Sequence, residues 1–467
     1  MRYISTRGAA PALGFADALL AGLARDGGLY VPFSLPEWRP DAIRALRGLR
    51  YPEAAARVMA SFVGDDFGPA EIKALAEDAY AGFRHAATAP IAQIDDNLFA
   101  LELFHGPTLA FKDFAMQWLG HAMNRVLRQS GARATIIGAT SGDTGAAAIE
   151  AFADQSQVEV FILYPQGRVS DVQRRQMTTV GKPNIHALAI EGAFDDCQRI
   201  VKELFSDLAF RDEMRLTGVN SINWARILAQ IVYYFVGAVA LGAPERAISF
   251  AVPTGNFGDV LAGYYAKRMG LPVDRLIIAT NENDILVRAL ASGRYAPKRV
   301  KATQSPSMDI QVSSNFERLL FEASDRDPEA LVAQMSELAS DGAFAIPPDA
   351  LRHIRADFDA FRVDEAACSA EMGRVYRESG MIIDPHSAVG AHAARRALAA
   401  APATPVIALG TAHPAKFPDA VERATGVRPP LPERLSDLMD REESIVVLAN
   451  DRRAVAEYVR QTARAAA

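Results

Sequence analysis

Lys112 stands in the string His105-Gly106-Pro107-Thr108-Leu109-Ala110-Phe111-Lys112-Asp113-Phe114, among apolar residues where a helix is expected to begin. An ammonium buried beside a helix N-terminus is destabilised, so its pKa falls and a free amine becomes available, which is how a lysine is prepared to form a Schiff base. Pairing with Asp113, or snorkelling to solvent, is the plain alternative. A second element, Gly255-Asn256-Phe257-Gly258-Asp259, follows an apolar run ending at Val252-Pro253 and precedes the helical stretch Val260 to Met269. Successive amides at a helix start make a phosphate cradle, although such turns also occur for structural reasons and this one matches neither the dinucleotide fingerprint nor the P-loop. In the third, Thr140-Ser141-Gly142-Asp143-Thr144-Gly145, hydroxyls and free amides at a helix start can hold a carboxylate or phosphate. Capping of the helix by Ser141 and Asp143 explains the same residues without a ligand.

These loops need elements to position them. Strand-like apolar runs lie at Ala134 to Gly138, Val158 to Leu163, Ile185 to Ile190, Ile248 to Val252, Leu276 to Ala279 and Val406 to Leu409, alternating with helical stretches. That alternation implies parallel sheets covered by helices, with ligands bound at the carboxyl ends of the strands, where the loops Thr140 to Gly145 and Gly255 to Asp259 fall. Ile91 to Asp95 and Leu98 to Leu103 read as a hairpin around Asp96-Asn97. Before Pro90 the pattern is mostly helical, with a helix expected from Phe15 to Arg25 and stopped by Gly27-Gly28. Tyr295 to Ser314 reads as a long loop. Ile227 to Gly242 is long and apolar but carries Gln230, and reads as a buried core helix rather than a membrane span.

At 467 residues the chain is long enough for two or three domains. Hydrophobic residues at 50% and charged residues at 23% describe a globular protein, and a formal net charge of -6 without a basic run argues against nucleic acid as a partner. An anionic ligand must then meet locally concentrated donors. Cys197 and Cys368 show no metal-ligand spacing and read as buried small hydrophobes. The N-terminus lacks the pattern of a signal peptide, so a cytoplasmic protein with no membrane partner and no metal is expected.

Together the three loops resemble pyridoxal-phosphate enzymes of the tryptophan synthase β type. The strings HGPTLAFKDFAMQ, ATSGDTGAAA, SINWARILAQ, VPTGNFGD, PSMDIQVSSNFERLLFE and TAHPAKF are similar to segments of the threonine synthase family, from the first residues to beyond residue 420. The resemblance implies an α/β fold of two parallel-sheet cofactor-binding domains (fold type II), active site between them, with a mostly helical accessory domain over 1–90. The catalytic region then spans 91–430, and a tail over 431–467 is expected to pack on the larger α/β domain.

The same resemblance implies the cofactor pyridoxal 5'-phosphate, the substrate O-phospho-L-homoserine, and a monomer or homodimer. Lys112 would hold the cofactor and move protons at the substrate's Cα and Cβ. Gly255, Asn256, Phe257, Gly258 and Asp259 would border the cofactor phosphate, with Asp259 expected to turn away or cap the following helix. Thr411 would face the ring nitrogen. Thr140, Ser141, Asp143 and Thr144 would clamp the substrate carboxylate, with Thr144 able to reach toward the phosphate, and Asn220, Ser221 and Arg226, at the start of one helix, would hold the substrate phosphate. His386 and His413 are candidate extra proton carriers whose plain reading is structural. The implied reaction is threonine synthesis with release of phosphate. A phospho-lyase giving 2-oxobutyrate, and a non-catalytic binding protein, are the alternatives.

Overall fold

In the structure, a computed structural model describing residues 1–463, the apolar runs become two parallel sheets. The larger has six strands in the order Phe358–Arg362, Val273–Thr280, Ile248–Pro253, Val406–Gly410, Leu98–Glu102, Ile91–Asp95, and only the last pair is antiparallel. The smaller has five, in the order Val446–Leu448, Ile185–Ile190, Val158–Pro165, Ala134–Ala139, Leu216–Thr217, all parallel. Central strands such as Ile248–Pro253 and Val158–Pro165 are buried along their whole length. Helices covering both faces require this, and it is why these strands read as continuous apolar runs.

Two helices carry the site. Lys112–Ser130 packs against Trp224–Ala240, which also contacts Gly258–Arg268 and Tyr51–Val63. Trp224–Ala240 is buried around nearly its whole circumference, as expected of a core helix. No helix among the described residues is long and apolar enough to cross a membrane. Both cysteines are free and buried.

Two expectations are corrected. The first helix spans Phe15–Ala21, not Phe15 to Arg25. Gly22 adopts φ +63°, ending the helix with its amide on the carbonyl of Ala18, and Leu23 turns back to bridge Leu29. The tail joins the smaller sheet, not the larger domain. Val446–Leu448 pairs with Leu188–Ile190, and Val455 and Val459 of the helix Arg452–Thr462 bury against Leu188, Ile200 and Leu204. The smaller sheet's outer strand and face are apolar, so covering them is favourable. The tail's residues 464–467 lie outside the described residues. The segment before residue 90 shares a continuous core with the larger sheet's helices: Tyr51, Tyr80 and Phe83 meet Phe114, and Tyr3 meets Trp224.

Candidate active site

A cavity of about 920 Å³ opens where strands of both sheets end at their carboxyl termini. Lys112, Thr140, Ser141, Asp143, Thr144, Asn220, Ser221, Arg226, Gly255, Asn256, Phe257, Gly258, Asp259 and Thr411 all line it. His386 lines it as well, whereas His413 does not. His413 is half-buried against Phe104, its Nδ1 accepts from the amide of Ala415, and desolvation pushes its pKa down to about 4.

Lys112 is the first residue of its helix, and the turn before it is stapled to the end of the strand Val406–Gly410. The amide of Phe111 donates to Thr411 O at 2.9 Å, and that of His413 to Leu109 O at 3.0 Å. Leu109 is held at φ +64°, an uncommon conformation for a branched residue that tends to mark functional turns. Pairing of Lys112 with Asp113 does not occur. Asp113 turns back to accept from the Thr108 amide at 2.9 Å and its hydroxyl at 2.6 Å, and burial raises its carboxyl to about 6. The Lys112 amine instead lies 3.4 Å from Asp143 Oδ2. Burial lowers its pKa, an effect the Asp143 carboxylate opposes in part and the charges of Lys416 and Arg226 reinforce.

Asp143 is a junction. Its Oδ1 accepts from Lys416 at 2.7 Å and Gln173 at 2.9 Å, and its Oδ2 from the Ser307 hydroxyl at 3.1 Å. Burial alone would raise this carboxyl, but Lys416 and Lys112 outweigh it and hold it well below the usual carboxylate range. The expectation that Asp143 clamps the substrate carboxylate is corrected: its oxygens accept from cationic and polar neighbours and would repel another anion. Nor does it cap its helix, whose N-cap is Gly142 without a side-chain bond. Thr140 Oγ1 builds the loop by accepting from the amides of Gly142 and Gly145 at 3.0 and 2.9 Å, leaving Ser141 and Thr144 freer to meet a ligand.

Lys416 and Ser307 were missed in the sequence. Lys416 is wholly buried and also donates to Thr108 O at 2.8 Å. Its signal was the one that singled out Lys112, a lone lysine between apolar neighbours in Ala415-Lys416-Phe417. Ser307 left no signal, because the loop carrying it has no period. Its amide donates to His386 Nε2 at 3.2 Å, which places the ring proton on Nδ1, facing Asp384 at 2.7 Å. Asp384 also accepts from Ser387, whose Oγ accepts from the Thr411 amide at 3.1 Å. A chain of polar contacts thus runs from Lys112 to Thr411, positioning both.

On the opposite wall, the helix Gly258–Arg268 begins at Phe257, held in the left-handed region at φ +66° with its ring against Phe316 and Phe358. A Cβ at Gly255 would come within 3.1 Å of Ser307 O, so glycine lets the two loops approach this closely without displacing one another. Among the described residues, the amides of Gly255, Asn256, Phe257 and Gly258 donate to no protein acceptor. Asp259 turns away, as expected, but as an acceptor for the Tyr233 and Tyr234 hydroxyls and not as a cap.

Asn220 and Ser221 precede the helix Trp224–Ala240, and its cap is Asn223, which removes the capping explanation for both. Ser221 Oγ lies 3.3 Å from Ser314 Oγ. Arg226 is buried, one nitrogen donating to Val219 O at 3.2 Å and its Nε without a partner among the described residues. Burial lowers its pKa to about 10, so it stays cationic at neutral pH. A buried guanidinium with no carboxylate and a free donor at a cavity wall is built to receive an anion.

These groups fit pyridoxal phosphate. A buried amine awaits its carbonyl, four unpaired amides at a helix N-terminus suit its phosphate, and the Thr411 hydroxyl, without a protein partner among the described residues, suits its ring nitrogen. No cluster that could hold a metal ion occurs among the described residues.

Comparison with known proteins gives three family matches: "Threonine synthase N terminus" over residues 2–80, "Pyridoxal-phosphate dependent enzyme" over 86–344, and "Threonine synthase, C-terminal" over 387–459. The chain is 52% identical to a threonine synthase of Pseudomonas aeruginosa over 99% of its own length and 98% of the relative's. It is similar to the crystal structure of a PLP-bound threonine synthase from Brucella melitensis, with TM-score 0.96 and 57% identity over 99% and 100% of the two chains. The yeast threonine synthase structure matches with TM-score 0.93 and 38% identity over 99% and 98%.

Proposed function

The chain belongs to the threonine synthase family, and from that premise we propose that its substrate is O-phospho-L-homoserine, converted with water to L-threonine and phosphate in the cavity around Lys112. The protein is a pyridoxal-phosphate-dependent lyase. One observation carries the substrate assignment: the buried Lys112 amine faces a single cavity that holds two separate anion-binding walls, the free amides of Gly255 to Gly258 and the group Asn220, Ser221 and Arg226.

When bound, pyridoxal phosphate supplies an electron sink for charge developing at the substrate's Cα and Cβ. The chain's own residues do the rest. The amides of Gly255, Asn256, Phe257 and Gly258 hold the cofactor phosphate, and Thr411 presents a hydroxyl to the ring nitrogen. Ser141 and Thr144, with the helix start behind them, bind the substrate carboxylate. Arg226, Asn220 and Ser221 bind the substrate phosphate and stabilise it as it leaves Cγ. Lys112, whose amine pKa is lowered by burial, removes the protons from Cα and Cβ, returning one to Cγ as phosphate departs and the other to Cα at the end. Water supplies the hydroxyl that adds at Cβ, and its remaining proton goes to the released phosphate. The segment 1–90 serves as an accessory that closes the outer end of the cavity, which Arg7, Leu23 and Arg25 line.

The test is a product assay with O-phospho-L-homoserine on the wild type and Lys112→Ala. Threonine and phosphate in equal amounts, lost in the variant together with the bound cofactor's visible band, are expected. Phosphate with 2-oxobutyrate would assign a phospho-lyase, and turnover surviving in Lys112→Ala would remove the lysine from the mechanism.

A further inference from the structure

Two lysine side chains share one carboxylate in this site, and they share it unequally. Lys416 Nζ sits 2.7 Å from Asp143 Oδ1, with side chains 0% and 3% exposed, whereas Lys112 Nζ lies 3.4 Å from Asp143 Oδ2. Asp143 is further held by Gln173 on the first oxygen and Ser307 on the second. We propose that Lys416 is a positioning residue for Lys112, neutralising Asp143 so that the carboxylate orients the Lys112 amine without fixing it as an ammonium. The proposal rests on Lys112 being the cofactor-bearing lysine.

The physical argument compares the pair with and without the second cation. An ionised carboxylate facing Lys112 alone in a buried site would favour the charged amine strongly, because an unscreened opposite charge a few ångströms away stabilises the ionised form. A protonated lysine can neither attack a carbonyl nor take a proton from carbon. Removing the carboxylate altogether would leave the amine unoriented. Lys416 resolves the conflict by making the tighter contact, so that Asp143 keeps its charge and its hydrogen-bonding direction while most of its field is cancelled locally.

The other charged groups nearby do not replace it. Arg226 faces from the helix Trp224–Ala240 and His386 from Pro385–Ala400, the latter reaching Asp143 only through Ser307. Asp259 turns to Tyr233 and Tyr234, Asp113 is bound by Thr108, and Asp309 lies within a network of Asn281, Asn283 and Thr303. Lys416 itself is anchored by the Thr108 carbonyl, in the turn that delivers Lys112, so its position and that of Lys112 are set by one segment.

The experiment titrates the visible band of the holoenzyme, loaded with pyridoxal phosphate, against pH in the wild type, Lys416→Met, Lys416→Arg and Asp143→Asn. In parallel, the pH dependence of the rate at which each apoprotein recombines with pyridoxal phosphate reports the Lys112 amine itself. Lys416→Met is expected to raise both midpoints by about one pH unit or more, and Asp143→Asn to lower both by a similar amount. Lys416→Arg should keep the wild-type values. Opposite signs distinguish charge balance from loosened packing, which would move both variants the same way, and either variant alone decides by its sign if the other fails to fold. Shifts of the same sign, or none, overturn the proposal while leaving Lys112 in place. A wild type with no band to lose in Lys112→Ala overturns the reading of Lys112 itself.

Discussion

Asp259 shows how far a residue's surroundings can move its chemistry from what its type suggests. An acid beside a phosphate cradle would repel the ligand, yet this one is buried, shares Oδ1 with two tyrosine hydroxyls and leaves Oδ2 without a partner among the described residues. Burial raises its carboxyl from the unfolded 3.8 to about 7, against the tyrosine hydrogen bonds. The folded protein therefore holds this proton more tightly than the unfolded chain. The associated stability is fully present below about 3.8 and is lost as pH rises through about 7. Asp259→Asn keeps the acceptor for the tyrosines and removes the titration. Its unfolding free energy relative to wild type, measured by denaturant melts, is expected to improve as pH is raised from about 5 to about 8, by an amount on the order of a few kcal/mol at the upper end. A difference that does not change with pH would show that Asp259 is not protonated by its site.

At the scale of elements, the loop after Arg294–Tyr295 matters most, because it brings Ser307 against Asp143 and His386. It is held from below by Asn281, whose amide lies 2.8 Å from Thr303 Oγ1 and 2.8 Å from Asp309 Oδ1, and whose oxygen accepts from the Asn283 amide at 2.9 Å. Asn281→Ala leaves these buried partners short of bonds and is expected to cost about 1–3 kcal/mol in a thermal or denaturant melt. KM should rise with it, since the loop also packs on Gly255. An unchanged KM with lowered stability would confine the loop to a structural role. Its irregularity was legible in the sequence, but its duty was not: hydrogen bonds among Asn281, Thr303 and Asp309 leave no periodic trace. The central strands were legible because burial on both faces makes them continuously apolar. The end of the first helix was not, because Leu23 continues the apolar pattern while Gly22 breaks the backbone. The sheet that the short strand Val446–Leu448 joins was not legible, since pairing with Leu188–Ile190 is a long-range choice that three residues do not encode. For the site, the expected loops did converge on one cavity, and the members that were missed lay in other segments and connect to it only through space.

At the scale of the whole molecule, a net charge of -6 sets a weakly repulsive field against a substrate that carries both a carboxylate and a phosphate. The cavity reverses the sign locally. Its outer end is lined by Arg25, from the segment after the first helix, and by Lys202 and Arg211, from two helices of the smaller α/β unit. None of the three forms an ion pair with a carboxylate among the described residues, whereas Arg7 beside them is bound to Glu317 at 3.0 Å. Unpaired cations at a mouth attract anions over roughly a Debye length, about 10 Å at 0.1 M salt, and raise the encounter rate without touching the reacting atoms. kcat/KM for the phosphorylated substrate is therefore expected to fall several-fold between about 20 and about 200 mM salt, with kcat nearly constant. In the variant Arg25→Ala, Lys202→Ala, Arg211→Ala, the low-salt value should drop to near the high-salt one and the salt dependence should flatten. Steady-state rates at low and high ionic strength decide it. If the triple variant keeps the wild-type slope, the field that draws the substrate in comes from Arg226 and the inner wall alone, and the outer cations only keep the accessory segment and the smaller unit hydrated where they meet.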